Sequence, residues 1–372
     1  MTREEFSAQL ERGAAQASAL PVTSAVLRWT AEQLKRGEPP WWKLIAKAWE
    51  KRTFVAWSEA WSLYLACLHY EALSDAESPL VPYFPSCGGT AEADPSVALA
   101  RFLAAPPPTF AENLKTAHRR TFIAERSKAW LAPAAGFFQR RDLPFYLVEV
   151  NAGAGLNLAA DVVAPAPGFD SALISARVGL DPRPMQTEDI MDRRWLTAGI
   201  FPDDLPSIAA LDAAIDKIAE RTRAEAAFLQ LAPCPPEKAA AFITKNIPSD
   251  DADVGLLVFN MGVTVRMSDP DYAAYAASMA AMLKHWGERA LWVEFESVRG
   301  ETYSTTFQLR AHRLLGGQLR SLVVASVDVV GGLRRSTPPP TPSWAPKSLP
   351  PPLPLSNRFL TVSTLNLDLP GL

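Results

Sequence analysis

Residues Tyr146-Leu147-Val148-Glu149-Val150-Asn151-Ala152-Gly153-Ala154-Gly155-Leu156-Asn157 decide the fold class. The apolar run, which begins at Phe145, reads as a buried strand. It ends in a turn of small residues, and a helix opens near Leu156. Small residues let a backbone approach a ligand closely. A helix N-terminus adds unpaired amides and a positive dipole end. Open α/β sheets bind ligands beyond the carboxyl ends of their strands. This turn is therefore the expected ligand site. The plainer alternative is that Gly153 and Gly155 only make a tight strand-to-helix turn.

Outward from this stretch, short apolar runs at 145–150, 174–180, 227–231, 254–259 and 290–295 alternate with helical stretches at 206–222, 237–245 and 270–287. That alternation predicts a parallel sheet with covering helices. Two further runs, 305–314 and 318–328, are joined by Gly316-Gly317 and predict an antiparallel hairpin. Upstream, helical spacing fills 4–20, 24–36, 41–70, 95–103 and 110–131, with a turn-rich loop at 79–90. Downstream, clustered prolines predict extended chain, with 359–367 as a candidate edge strand. The expected domains are a helical N-terminal domain (1–140), a Rossmann-like α/β domain (141–335) and a Pro-rich tail (336–372).

The length of 372 residues exceeds the roughly 250 residues at which single cores stop growing, which agrees with more than one domain. A hydrophobic content of 48% against 21% charged residues excludes a mostly disordered chain. The net charge of -3 gives no broad basic field, so no nucleic-acid partner is expected. No apolar run reaches the roughly 18 residues a membrane helix needs, so no membrane partner is expected either. Cys67, Cys87 and Cys234 are odd in number and far apart, and read as free thiols in a reducing, cytoplasmic compartment.

A dinucleotide fingerprint needs Gly-x-Gly-x-x-Gly, but the third position here is Leu158. That disfavours a nicotinamide oxidoreductase. The spacing instead resembles the acidic-x-Gly-x-Gly-x-Gly loop of class I methyltransferases that use S-adenosylmethionine. In that register Glu149 is the acidic residue, Gly153 and Gly155 are the second and third glycines, and Asn151 stands where the first would be. Asn tolerates a left-handed backbone. The hairpin also resembles the closing antiparallel strand pair of that fold. The resemblance implies S-adenosylmethionine over 149–157, on Glu149, Asn151, Ala152, Gly153, Ala154, Gly155 and Asn157. Asp181, at the end of the next strand, is the candidate for the ribose hydroxyls, since a carboxylate accepts two hydrogen bonds from a diol. Its alternative role is to cap a turn with Pro182. Asn260, at the end of the fourth run, is a further candidate contact.

Longer segments carry a second resemblance. Leu65-Ala-Cys-Leu-His69-Tyr70, Pro82-Tyr-Phe-Pro-Ser-Cys-Gly-Gly89, the 148–158 stretch, Arg177-Val-Gly-Leu-Asp-Pro182 and Trp195-Leu-Thr-Ala-Gly-Ile-Phe-Pro202 resemble, in order, the bacterial domain of unknown function 2332. This resemblance implies a helical region fused to a Rossmann-like, methyltransferase-like domain, and brings no established reaction. The family's Thr-Asn-Glu-x-x-Arg stretch is matched by Thr121-Phe-Ile-Ala-Glu-Arg126, with Phe122 and Ile123 replacing a polar pair. Tyr83, Ser86 and Arg126 are candidate substrate-binding residues.

His69, His118, His285 and His312 are scattered without metal-ligand spacing, so no metal is expected. Gly-x-Ser-x-Gly and Gly-Lys-Ser/Thr signatures are absent. Glu294 and Glu296 alternate along a strand and read as a solvated strand end, with a general-base role as the alternative. Six of eleven tryptophans lie between Trp29 and Trp61, as a helical core or as an aromatic wall around a substrate. The 83–89 loop, with paired glycines, is a candidate lid. The expectation is thus a Rossmann-like class I methyltransferase-type α/β sheet after an all-helical N-terminal domain, methylating a small molecule in the interdomain cleft. The rival expectation is a non-catalytic binding protein with a degenerate Rossmann-like site.

Overall fold

Eight strands among the described residues form one sheet: β1 (Phe145–Val150), β2 (Ile174–Asp181), β3 (Gln230–Pro233), β4 (Gly255–Met261), β5 (Ala290–Ser297), β6 (Thr306–Leu315), β7 (Gln318–Val330) and β8 (Leu333–Thr337). The computed structural model describes residues 1–90, 94–166, 168–298, 306–330 and 333–337. The strand order is β3-β2-β1-β4-β5-β6-β7-β8. Strands β1 to β5 are parallel, and β6, β7 and β8 each run antiparallel to the strand before.

The apolar runs become strands because both faces of the sheet are covered. Leu147, Leu257, Phe259 and Leu291 face Trp130, Phe137 and Phe138. Their strand neighbours Val148, Val258 and Trp292 point the other way, onto Ile243, Met279, Leu283 and Trp286. Helix Asp269–Trp286, which covers that second face, starts where Ser268 accepts the Asp271 amide and stops at left-handed Gly287. Gly316 and Gly317 both take positive φ, the two-residue turn that joins β6 to β7. The third strand begins later than the sequence pattern predicts, at Gln230 rather than residue 227. Strand β8 overlaps the predicted tail, whose residues 338–372, including 359–367, lie outside the described residues.

The helix expected after the glycine turn is short. A 3-10 turn, Leu156–Ala159, leads into one α-helical turn, Ala160–Val163. Pro165 disfavours helical backbone at Ala164 and ends it there. So little helix adds little dipole to the neighbouring loop.

The chain clusters into two units, Met1–Phe122 with Gln186–Ala213, and Ile123–Met185 with Ala214–Leu372. The units therefore do not follow the linear division at residue 140: residues 123–140 go with the sheet, and 186–213 return to the first unit. Two sequence-distant links show why. Asp203 accepts the Val22 and Thr23 amides at 2.8 and 3.1 Å, so it caps helix Pro21–Arg36 in place of any local residue. The Trp195 indole donates to the His118 carbonyl at 2.9 Å.

The single helix predicted over 110–131 is broken in the structure. It stops at Thr116, and helix resumes only at Ala124–Ser127. The Leu114 carbonyl, which a continuing helix would bond internally, instead accepts from the Trp49 indole and Arg52 at 3.1 and 3.0 Å. Arg52 also bonds the Ala117 carbonyl. Of the six clustered tryptophans, Trp41, Trp42, Trp49 and Trp61 are buried in the core, and Trp29 and Trp57 pack half-buried against it. Phe6 packs on Trp42 and Trp49, with ring centroids 5.9 and 4.9 Å apart.

In the sheet unit, Arg177 of β2 pairs with Asp161 at 2.6 Å, both buried, and its guanidinium lies 4.4 Å from the Phe228 ring. Removing one partner strands a buried charge. Asp161→Ala is expected to lower unfolding free energy by about 3–5 kcal/mol, whereas Asp161→Leu with Arg177→Met is expected to stay within about 1 kcal/mol of the parent. Urea unfolding followed by circular dichroism checks both.

Candidate functional site

The strand order reverses direction between β1 and β4, the switch point at which open α/β sheets bind ligands. Two loops flank it, one after each strand. In the first, Asn151, Gly153 and Gly155 all take positive φ, at 66°, 60° and 73°. Asn151 thus occupies the left-handed position expected of it. At Gly155 the positive φ strains any side chain, and a Cβ there would lie 2.8 Å from Leu229 Cδ2, so the leucine would have to shift. The alternating left-handed residues turn the loop back onto β2. The Asn151 and Ala152 amides both donate to the Leu180 carbonyl, at 2.7 and 3.0 Å.

Asp181 completes this arrangement. Its Oδ2 accepts the Gly153 amide at 2.8 Å and its Oδ1 accepts the Arg183 amide at 2.8 Å. The residue is 0% exposed. Asp181 therefore fastens the glycine loop and its own turn, and does not present its carboxylate toward a ribose. Glu149 is 2% exposed, and its Oε1 accepts from Asn157 Nδ2 at 2.6 Å. Ala152 and Ala154 are buried beside them. The Trp130 indole holds the Asn157 carbonyl at 2.8 Å.

The second loop is fastened in the same way from the other side. Glu296, at the end of β5, accepts the Val263 amide at 2.9 Å and the Thr264 amide at 3.1 Å. It also accepts from Asn260 Nδ2 at 2.6 Å. Asn260 is fully buried, and its Oδ1 takes hydrogen bonds from the Trp292 indole at 2.8 Å and the Tyr275 hydroxyl at 3.2 Å. Its hydrogen bonds run into the fold, so it is not placed to contact a cofactor. Glu294 lies one pleat along, bonded at 2.9 Å to His312 Nε2, and His312 Nδ1 lies 2.7 Å from Ser321 Oγ. The expectation of a solvated strand end fails here: Glu294 and Glu296 are 1% and 2% exposed. Helix Asp269–Trp286 and β6 cover them, which no periodicity along β5 reveals.

The remaining candidates belong to different units. Tyr83 and Ser86 belong to the first unit and Arg126 to the second. Tyr83 ends a 3-10 turn, Val81–Tyr83, and Ser86 is the centre of another, Pro85–Cys87. The 83–89 loop is not built as a lid. A Cβ on Gly89 would lie 2.4 Å from the Val81 carbonyl oxygen, and its amide bonds the Phe84 carbonyl at 3.1 Å. Sequence reading missed the fastening role of Glu296, whose signal was only its position two residues past Glu294. Among the described residues, no group of three His, Cys, Asp or Glu side chains is placed to hold a metal, and no helix is long and apolar enough to cross a membrane.

The chain matches the family described as "Uncharacterized protein conserved in bacteria (DUF2332)" over residues 3–166 and 162–333. It belongs to that family. A search of curated proteins finds no match to this DUF2332 chain. Among solved structures it is similar to the sugar N-methyltransferase KedS8 from Streptoalloteichus sp ATCC 53650, at 16% identity and a TM-score of 0.24. That alignment covers 57% of the DUF2332 chain and 69% of the other. A likeness at that level carries no weight for its chemistry.

Two outcomes are expected for the fastened loops. Asp181→Asn leaves at least one buried amide without a good acceptor, and is expected to cost about 1–3 kcal/mol by urea unfolding. Burial raises the Glu296 carboxyl from 4.5 to about 7, against the pull of its amide donors. Between those values the native protein holds a proton the unfolded chain has lost. Stability from this group is therefore full below 4.5 and declines as pH rises toward about 7. Unfolding measured across that range is expected to show the decline, and Glu296→Gln to flatten it.

Proposed function

We propose that the sheet unit binds S-adenosylmethionine beyond the carboxyl ends of β1 and β4 and directs methyl transfer to a small molecule. The observation that carries this reading is the loop of left-handed Asn151, Gly153 and Gly155 beside the strand-order reversal. An adenosyl cofactor needs close approach of backbone at that point, and the loop's small residues fit that need. At Gly262, in the opposite loop, a Cβ would meet nothing within 4 Å, which agrees with open space on that side. The side chains fit less fully, since Asp181 is spent on the loop.

The cofactor, when bound, supplies an activated methyl group. The protein's part is positional. Asp181 and Glu296 hold the two flanking loops rigid, and an in-line transfer between two held reactants gains mainly from such positioning. No base is required of the chain for that gain.

A second reading has its own observation. Glu149 and Asp181 are both buried, and Asp181 has each oxygen bonded to a backbone amide. This favours a binding protein whose Rossmann-like loop has become purely structural.

Isothermal calorimetry with S-adenosylmethionine and S-adenosylhomocysteine separates the two. Under the first reading both bind in the micromolar range, about -8 kcal/mol, and Gly153→Arg abolishes the heat. A folded protein that gives no heat with either ligand overturns it and leaves the structural loop.

A further inference from the structure

Three segments far apart in the chain meet at His69, in the first unit. Helix Glu59–Ser74 carries it, fully buried. Its Nδ1 lies 2.9 Å from the Ile200 carbonyl oxygen. That oxygen only accepts, so Nδ1 carries the hydrogen and Nε2 remains an acceptor. Nε2 lies 2.7 Å from Ser86 Oγ, so the Ser86 hydroxyl donates to it. The imidazole is thus fixed in one tautomer, with its basic nitrogen on a hydroxyl. Burial lowers His69 to about 4, so the ring is neutral near pH 7.

The turn that presents Ser86 is equally fixed. Ser86 is half-buried, and its amide donates to the Pro202 carbonyl at 2.9 Å. Left-handed Gly88 closes the 3-10 turn behind it. Gly89 then packs too closely on the Val81–Pro82 backbone to carry a side chain. The Phe84 ring meets the His69 ring edge-on at 5.9 Å. Nucleophile bonded to base, and base oriented by a third group, is the arrangement that activates a serine. Here the orienting group is a backbone carbonyl.

We propose that Ser86 is a nucleophile activated by His69, and that the first unit takes acyl groups from small activated esters. Ser86 Oγ bonds to the ester carbonyl carbon as its proton passes to His69 Nε2. The tetrahedral intermediate expels the alkoxide, which takes that proton and leaves as an alcohol. Water then gives a proton to the same Nε2 and attacks the acyl-serine, releasing a carboxylic acid and restoring Ser86. The adjacent thiol is not the nucleophile: Cys87 Sγ lies 3.8 Å from Ser86 Oγ, and burial raises its pKa, which keeps it protonated. This inference does not depend on the S-adenosylmethionine reading, which concerns the other unit.

The test uses the full chain with a fluorophosphonate probe, followed by peptide mass spectrometry, and p-nitrophenyl acetate as substrate. The probe forms an Oγ–P bond as the P–F bond breaks, and the serine proton leaves with fluoride. Labelling at Ser86 is expected, lost in Ser86→Ala and retained in Cys87→Ala. Loss of the base in His69→Gln is expected to slow labelling about a hundredfold. If that variant does not fold, the parent's pH profile carries the test. The rate is expected to be level near neutral pH and to fall only as His69 protonates, around pH 4. A folded parent with Ser86 unlabelled, and p-nitrophenyl acetate turnover equal to that of Ser86→Ala, overturns the proposal. So does a labelling rate in the folded parent that shows no fall as the pH is lowered to about 4.

Discussion

The Asp181 carboxylate ties the carboxyl end of β2 to the loop that follows β1. One oxygen accepts the Gly153 amide and the other the Arg183 amide, while the Leu180 carbonyl beside it accepts the Asn151 and Ala152 amides. Four backbone donors around the turns after β1 and β2 are thereby satisfied within two residues of β2. Buried amides without partners are costly, so the loop must adopt whatever backbone brings them there. Left-handed φ at 151, 153 and 155 is that backbone. This geometry by itself calls for the glycines, and for the asparagine in the remaining left-handed place.

Glu296 repeats the device across the switch point. It sits on β5 and holds the amides of the loop after β4, as Asp181 sits on β2 and holds those of the loop after β1. Each carboxylate accepts hydrogen bonds from fixed donors, which for Glu296 offset only part of the desolvation that raises its carboxyl. The carboxyl ends of β1 and β4 are therefore flanked by two loops, each tethered from a neighbouring strand. Such a frame suits a site whose contribution is positional. It is equally sound as pure architecture, which is why ligand binding and not geometry decides between the two readings.

Much of this was legible in the chain. Apolar runs bounded by turn residues placed β1, β2, β4, β5 and the hairpin, because burial on both faces demands continuous apolar sequence and a two-residue turn demands positive φ. Asp181 and Asn260 were correctly singled out as strand-end polar residues, yet both bond inward. Residue type records capacity to accept or donate, not the direction of the partner. The break at Thr116 was hidden for the same reason: the groups that capture the Leu114 carbonyl are Trp49 and Arg52, more than sixty positions upstream.

By itself, then, the sequence determined the local periodicities: the strand runs, the left-handed turn after β1, the Gly316-Gly317 hairpin and the cap-to-glycine span of helix Asp269–Trp286. These depend on steric limits and hydrogen bonds between near neighbours. Only the tertiary structure decided that residues 186–213 return to the first unit, that Asp203 caps a helix near residue 21, that Glu294 and Glu296 are dry, and that Ser86 meets His69. Each of those pairs groups that chain separation leaves uncorrelated until the core closes, and burial then fixes which polar atoms must find one another.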